Sequence, residues 1–436
     1  MMSHNAHWPR VWPDTERLAA GLLILFAFSA WSLTGLANVA LALLAALFVH
    51  DLPRHWPQLR RDPGLWLLFA VLLVTSLLAL LAIWRFPATA IQQIDAIGSW
   101  NAPFLFVIIA WWLRADLRLM HQVLLAALLG LTLGILRKLD LSQLDAVLHG
   151  DRYDHAGTAI LGLGFLISIA MLGLFLYRER LLTLSPWRWF GGLIWTLLIL
   201  FFAALLLVMQ ARGAMFGLML AGIAAVRVNA GHLPFRGRWR LPFVLLTLLL
   251  ATTTLLWMSR ERLTHDLNAL VQTTEGASVR YDSSLGTRLN LYRVGLNVFA
   301  ARPLIGWGPG SSATKLIIPA RLLAVAPADL EQAPAWSHLH SIPLELLVRF
   351  GLVGAAIGVL LLILLIRAWR HLDTSRADPM LADFLRLIAI LTLWFSVYDF
   401  RLVNLDLRFF LILFLGILYS FSLFAPDPAF PEAQPS

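Results

Sequence analysis

Apolar residues run along this chain in long blocks, and the short breaks between them carry arginine, proline and glycine. A helix rising 1.5 Å per residue needs about 20 residues to cross the hydrocarbon layer of a membrane. Blocks of roughly that kind lie near 18–33, 37–50, 64–84, 100–113, 120–136, 157–177, 189–208, 212–226, 241–258, 342–366, 384–398 and 402–424. Several are short, and the first two are joined by the tight break "LTGLAN". The pattern predicts an all-α polytopic membrane protein of about 12 transmembrane helices. One connection departs from it: residues 259–340 form a long polar loop between spans nine and ten, and ordered loops of that length are usually functional. The chain therefore divides into spans one to nine (1–258), a loop region carrying part of any site (259–340), spans ten to twelve (341–424) and a tail (425–436). The tail, "APDPAFPEAQPS", is proline-rich and reads as disordered.

Composition strengthens the membrane reading. The 436 residues are 59% hydrophobic and 14% charged, against about 25% charged in soluble domains. Cysteine is absent, which excludes disulfides and thiolate metal sites. The net charge of +9 rests on 32 Arg and only Lys138 and Lys315. No basic cluster forms outside the loops, so this balance points to cytoplasmic loops and anionic lipid rather than nucleic acid. The first apolar run continues past Arg17 without a small-residue cleavage site, which argues against a removed signal peptide.

The same arginines set the direction of the spans. With a cytoplasmic N-terminus, the inside segments hold 17 Arg and the short outside loops 6 Arg or Lys. That bias places both termini in the cytoplasm and the 259–340 loop outside.

Candidate chemistry gathers at outer ends. His338 and His340 close the long loop in "HLHSIPLELLVRFGLVG". His340 stands at the N-terminus of the tenth span, where the helix dipole favours a neutral imidazole able to accept a proton. A polar boundary marker is the competing reading. Arg212, in "QARGA", opens the eighth span. An arginine there opposes the dipole, but with the exposed backbone N–H groups it would bind phosphate; a snorkelling arginine is the alternative. Gly213 and Gly217 suit close helix packing. In "GTRLNLYRVGLNVFAARPLIGWGPGS" (286–311), Leu289, Tyr292, Leu296 and Phe299 recur at helical spacing and predict an amphipathic helix on the membrane surface. Arg288 begins it, and Gly306, Gly308 and Gly310 end it in a turn that fits neither phosphate-binding fingerprint. The outer loop "LHGDRYDHAGTA" adds Arg152. Metal-ligand spacings are missing from the outer loops, so a metal-free site is expected, with arginines neutralising charge. Glu345 and Arg349, four apart on the tenth span, are expected to pair. Asp399, Arg401, Asp406 and Arg408 read as a structural ion network.

Together these segments resemble the O-antigen ligase family. Its signature is His, then Asn, Ser or Gln, nine residues, Gly, two residues, and Gly, Thr or Tyr; here it reads His340, Ser341, Gly351 and Gly354. The segments around Arg212 and Arg288 resemble the family's arginine-bearing segments, and the resemblance covers roughly 150–355. It implies an inner-membrane glycosyltransferase that moves O-antigen glycan from undecaprenyl diphosphate to a sugar hydroxyl of lipid A–core on the periplasmic face, giving lipopolysaccharide. It implies no cofactor and no nucleic-acid partner. His340 would be the base, Arg212 and Arg288 would hold the diphosphate, and Arg152 and His338 would assist in substrate binding. Direct displacement would invert the anomeric centre. Ser341 replaces the commoner Asn, so any role for an amide there is absent. An O-antigen polymerase, a protein O-oligosaccharyltransferase and, with less support, a polysaccharide flippase are the alternatives.

Overall fold

The computed structural model describes residues 14–143, 145, 147, 149, 152–155, 160–183, 188–228, 264, 284–310, 339–374, 378–398 and 404–424. Among them all regular structure is helical: α1 (Asp14–Ser32), α2 (Thr34–Leu59), α3 (Pro63–Arg85), α4 (Ala90–Asn101), α5 (Phe106–Leu113), α6 (Leu117–Arg137), α7 (Ile160–Leu176), α8 (Arg178–Thr183), α9 (Arg188–Val208), α10 (Arg212–Val228), α11 (Ser284–Ala300), α12 (Ile342–Thr374), α13 (Pro379–Tyr398) and α14 (Leu405–Leu423), with short 3-10 turns between. Among the described residues eight helical segments are long and apolar enough to cross a membrane, and α7 and α10 are shorter apolar helices. Helices occupy the predicted blocks except 241–258, which lies outside the described residues. The fourth block is longer than the hydropathy suggests. Pro103 removes an N–H, and α4 and α5 meet across a 3-10 turn at Ala102–Leu105.

Helix packing follows from small residues and from uninterrupted apolar runs. All eight residues of α5 are buried, as is most of α14, so these two form the centre. A side chain at Gly130 or Gly134 of α6 would overlap the carbonyls of Phe28 and Trp31 on α1, so these glycines permit backbone contact between the two helices. Lipid takes the place of water on the outside: Trp66, Leu73, Leu77, Leu80 and Trp84 of α3 are all exposed.

Polar contacts separate the two ends of the bundle. At one end Arg114 pairs with Glu16 at 2.5 Å, and Arg180 and His121 both meet Asp378. There also the Tyr419 hydroxyl donates to Asp62 at 2.6 Å, the residue that caps α3. The other end collects the α9–α10 turn, the C-termini of α3, α6 and α13, and the start of α12. It is the end that carries His340.

Candidate active site

The signature glycines of α12 mark a break in the helix. Gly351 has φ 62° and ψ −152°, a conformation open essentially to glycine alone. The break leaves four backbone groups without helical partners, and the turn after α11 supplies all four. Leu352 N–H donates to Pro303 O at 2.8 Å and Val353 N–H to Leu304 O at 3.2 Å. In return, Trp307 N–H donates to Val348 O at 3.0 Å and Gly308 N–H to Arg349 O at 2.9 Å. Inside a bilayer such an exchange is obligatory, because each orphaned group costs several kcal/mol. The two segments lie so close that a Cβ on Gly351 would overlap the Leu304 carbonyl, and one on Gly306 (φ 65°) the Arg349 carbonyl.

Glu345 and Arg349 pair as their spacing predicts, with Nε to Oε2 at 2.5 Å, and both are buried. Each also holds one edge of the long loop. Arg349 donates to Pro309 O at 2.6 Å, and the other Glu345 oxygen accepts from Leu339 N–H at 2.7 Å. From α4, Trp100 donates to Pro309 O at 3.1 Å and Gln93 accepts from Gly310 N–H at 2.7 Å. A buried ion pair thus fixes the residue that precedes His340.

His340 itself is half-buried at a bend, with a left-handed φ of 52°. Ser341 follows and opens α12, its carbonyl accepting from Glu345 N–H. The Tyr292 hydroxyl lies within bonding distance of both the His340 carbonyl (3.2 Å) and the Val397 carbonyl (3.1 Å). Arg288 is one turn before Tyr292 on α11 and is half-buried. One turn before Val397, Trp394 of α13 donates to Gly213 O at 2.9 Å, beside Arg212. Arg212 is the first residue of α10, reached through Gln210 in a left-handed conformation (φ 47°). Arg152 Nε donates to Met209 O at 2.7 Å and Tyr153 N–H to Val208 O at 3.0 Å. The end of α13 therefore ties the segment of Arg152 and Arg212 to the segment of Arg288 and His340. His338, Asp399 and Arg401 lie outside the described residues.

One expectation changes. In α11 the buried stripe is Leu291, Val294 and Val298, packed on Leu339, Leu344 and Val348. Leu289 and Leu296, from the predicted stripe, are exposed at 36% and 54%. The other two predicted positions, Tyr292 and Phe299, are half-buried and pack against that cluster, so the predicted stripe lies partly on the buried face. A further cation, Arg302, follows α11. Its guanidinium lies 4.1 Å from the ring centroid of Trp307 and 4.9 Å from that of Phe86. Burial and the neighbouring Arg85 hold its pKa below the usual guanidinium value. The arginine-aromatic string "RPLIGW" was the available signal. Close packing at Gly217 is as expected: a Cβ there would lie 2.6 Å from Leu391 and 2.8 Å from Trp394.

Comparison with known proteins gives no match among curated proteins. Residues 196–359 match a family model described as O-Antigen ligase. The matched stretch runs from α9 through the helix break at Gly351 and includes Arg212, Arg288 and His340. Over that stretch, less than half of its length, this multi-pass membrane protein is thus similar to the O-antigen ligase family.

Proposed function

We propose that the chain is an inverting, metal-independent glycosyltransferase of the bacterial inner membrane, an O-antigen ligase working at the periplasmic face. The donor is a glycan on undecaprenyl diphosphate and the acceptor a sugar hydroxyl of lipid A–core. His340 takes the proton from the acceptor hydroxyl as its oxygen bonds to the anomeric carbon. The bond from that carbon to the phosphate oxygen breaks, and undecaprenyl diphosphate leaves with the electron pair. Arg212 and Arg288 bind the diphosphate and stabilise the charge that grows on it. Arg152 reinforces them, and His338 orients the acceptor. Preorganised donors at a developing charge are worth about 3–4 kcal/mol each.

The observation that carries this reading is the tie through Tyr292, Val397 and Trp394, which links the motif histidine and the arginine-bearing segments at one end of the bundle. The N-terminus of α10 adds backbone N–H groups beside Arg212, a setting suited to phosphate oxygens. A polymerase, or a transferase that acts on protein, would use the same carrier and chemistry. Deleting the gene separates these. Loss of a ligase leaves core without long glycan while carrier-linked polymer accumulates. Loss of a polymerase leaves core bearing single units. Complementation with His340→Ala, Arg212→Gln or Arg288→Gln is expected to fail, and normal ladders from the His340→Ala strain would remove the proposed base.

A further inference from the structure

We propose a second lipid site at the opposite end of the bundle: a slot for one acyl chain of an anionic glycerophospholipid, with its phosphate on Arg118 and Arg180. The inference rests on the membrane setting and is independent of the glycan-transfer reading.

A cavity of about 550 Å³ opens between α1, α6, α7, α13 and α14. Along α6 its wall runs from Arg118 to Leu131, a rise of about 20 Å, close to the length of a long acyl chain. The deep wall is apolar, with Trp31, Leu166, Phe410 and Phe414 among its residues, while Arg118, His121, Tyr177 and Arg180 stand together at one end. That polar end is built. Arg180 reaches Asp378 at 2.6 Å and donates to His121 Nε2 at 2.8 Å, which holds its guanidinium at the mouth. Asp378 answers Arg180, and the exposed Arg118 at the same end of the slot offers a second guanidinium to a headgroup phosphate. A soluble ligand would find almost no polar partner in the slot, and a neutral hydrocarbon would leave the cationic mouth unused. An amphiphile with one long chain inside and an anionic head outside satisfies both. The slot's mouth lies far from His340, since α12 runs from Ile342, beside His340, down to Asp373, which pairs with Arg386 on the same side as Asp378.

The test uses full-length protein, delipidated in detergent, titrated with phosphatidylglycerol or phosphatidylcholine and read by native mass spectrometry. One phosphatidylglycerol per chain is expected, with phosphatidylcholine binding several-fold weaker. Ala170→Trp fills the slot and should abolish retention. Arg118→Gln, at an exposed position, should weaken it about fivefold, the effect of one arginine near an anionic headgroup. Equal binding of the two lipids overturns the proposal, as does unchanged binding in Arg118→Glu or in an Ala170→Trp protein with wild-type melting temperature.

Discussion

Gly351→Ala is the substitution that most directly tests how this site is built. The new methyl group enters a conformation that side chains avoid, at about 1–3 kcal/mol. It also collides with the Leu304 carbonyl, so α12 and the 303–308 turn must separate. Four hydrogen bonds of 2.8–3.2 Å join them, each worth a net ~0.5–1.5 kcal/mol. Losing half of these adds about 2 kcal/mol, for a total of roughly 3–5 kcal/mol. Gly358→Ala is the control, because its Cβ would meet only Leu346 at an ordinary 3.8 Å. Thermal unfolding of purified protein in detergent, followed by tryptophan fluorescence, should show a fall of about 3–5 °C for Gly351→Ala and little change for Gly358→Ala. Transfer activity should fall with Gly351→Ala, since the same loop holds Arg349, which pairs with Glu345, and Glu345 holds Leu339 beside His340. A Gly351→Ala protein that melts with the wild type would refute the account of the backbone exchange.

Glu345→Ala leaves Arg349 buried without its carboxylate and should destabilise the protein by about 3–5 kcal/mol. A double-mutant cycle with Arg349→Met should recover part of that loss, and strict additivity would show that the pair is not coupled. Tyr292→Phe removes the hydroxyl shared by the His340 and Val397 carbonyls and should lower kcat about tenfold, the loss of roughly one hydrogen bond, with a smaller effect on melting; an unchanged kcat would mean the tie does not position His340. Gly217→Leu forces a side chain against Leu391 and Trp394, at about 1–3 kcal/mol, and moves Arg212 with α10. Reduced melting and reduced binding of the diphosphate carrier are expected together, and wild-type behaviour in both would reject close α10–α13 packing.

Much of this architecture was legible in the chain. The helical blocks, the turn at Leu33 and the Glu345–Arg349 pair all follow from local rules of hydropathy and spacing. Apolar length alone commits a segment to the membrane, and a membrane admits helices because every backbone group must be paired within the segment. The candidate chemistry at the His340 end of the bundle was legible only as separate residues. His340, Arg212 and Arg288 lie 52 to 128 positions apart, and no spacing rule reports on contacts at that range.

What the sequence by itself determined was therefore the helices, their ends and the residue types placed there, since these depend on free energies that each segment incurs alone. Only the tertiary structure decided which face of α11 is buried, what Gly351 is for, and that Arg302 packs against the stacked rings of Phe86 and Trp307. A broken helix in a bilayer is stable only if another segment completes its hydrogen bonds. The identity of that segment, the turn at 303–308, is a property of the assembled bundle and of no single stretch within it.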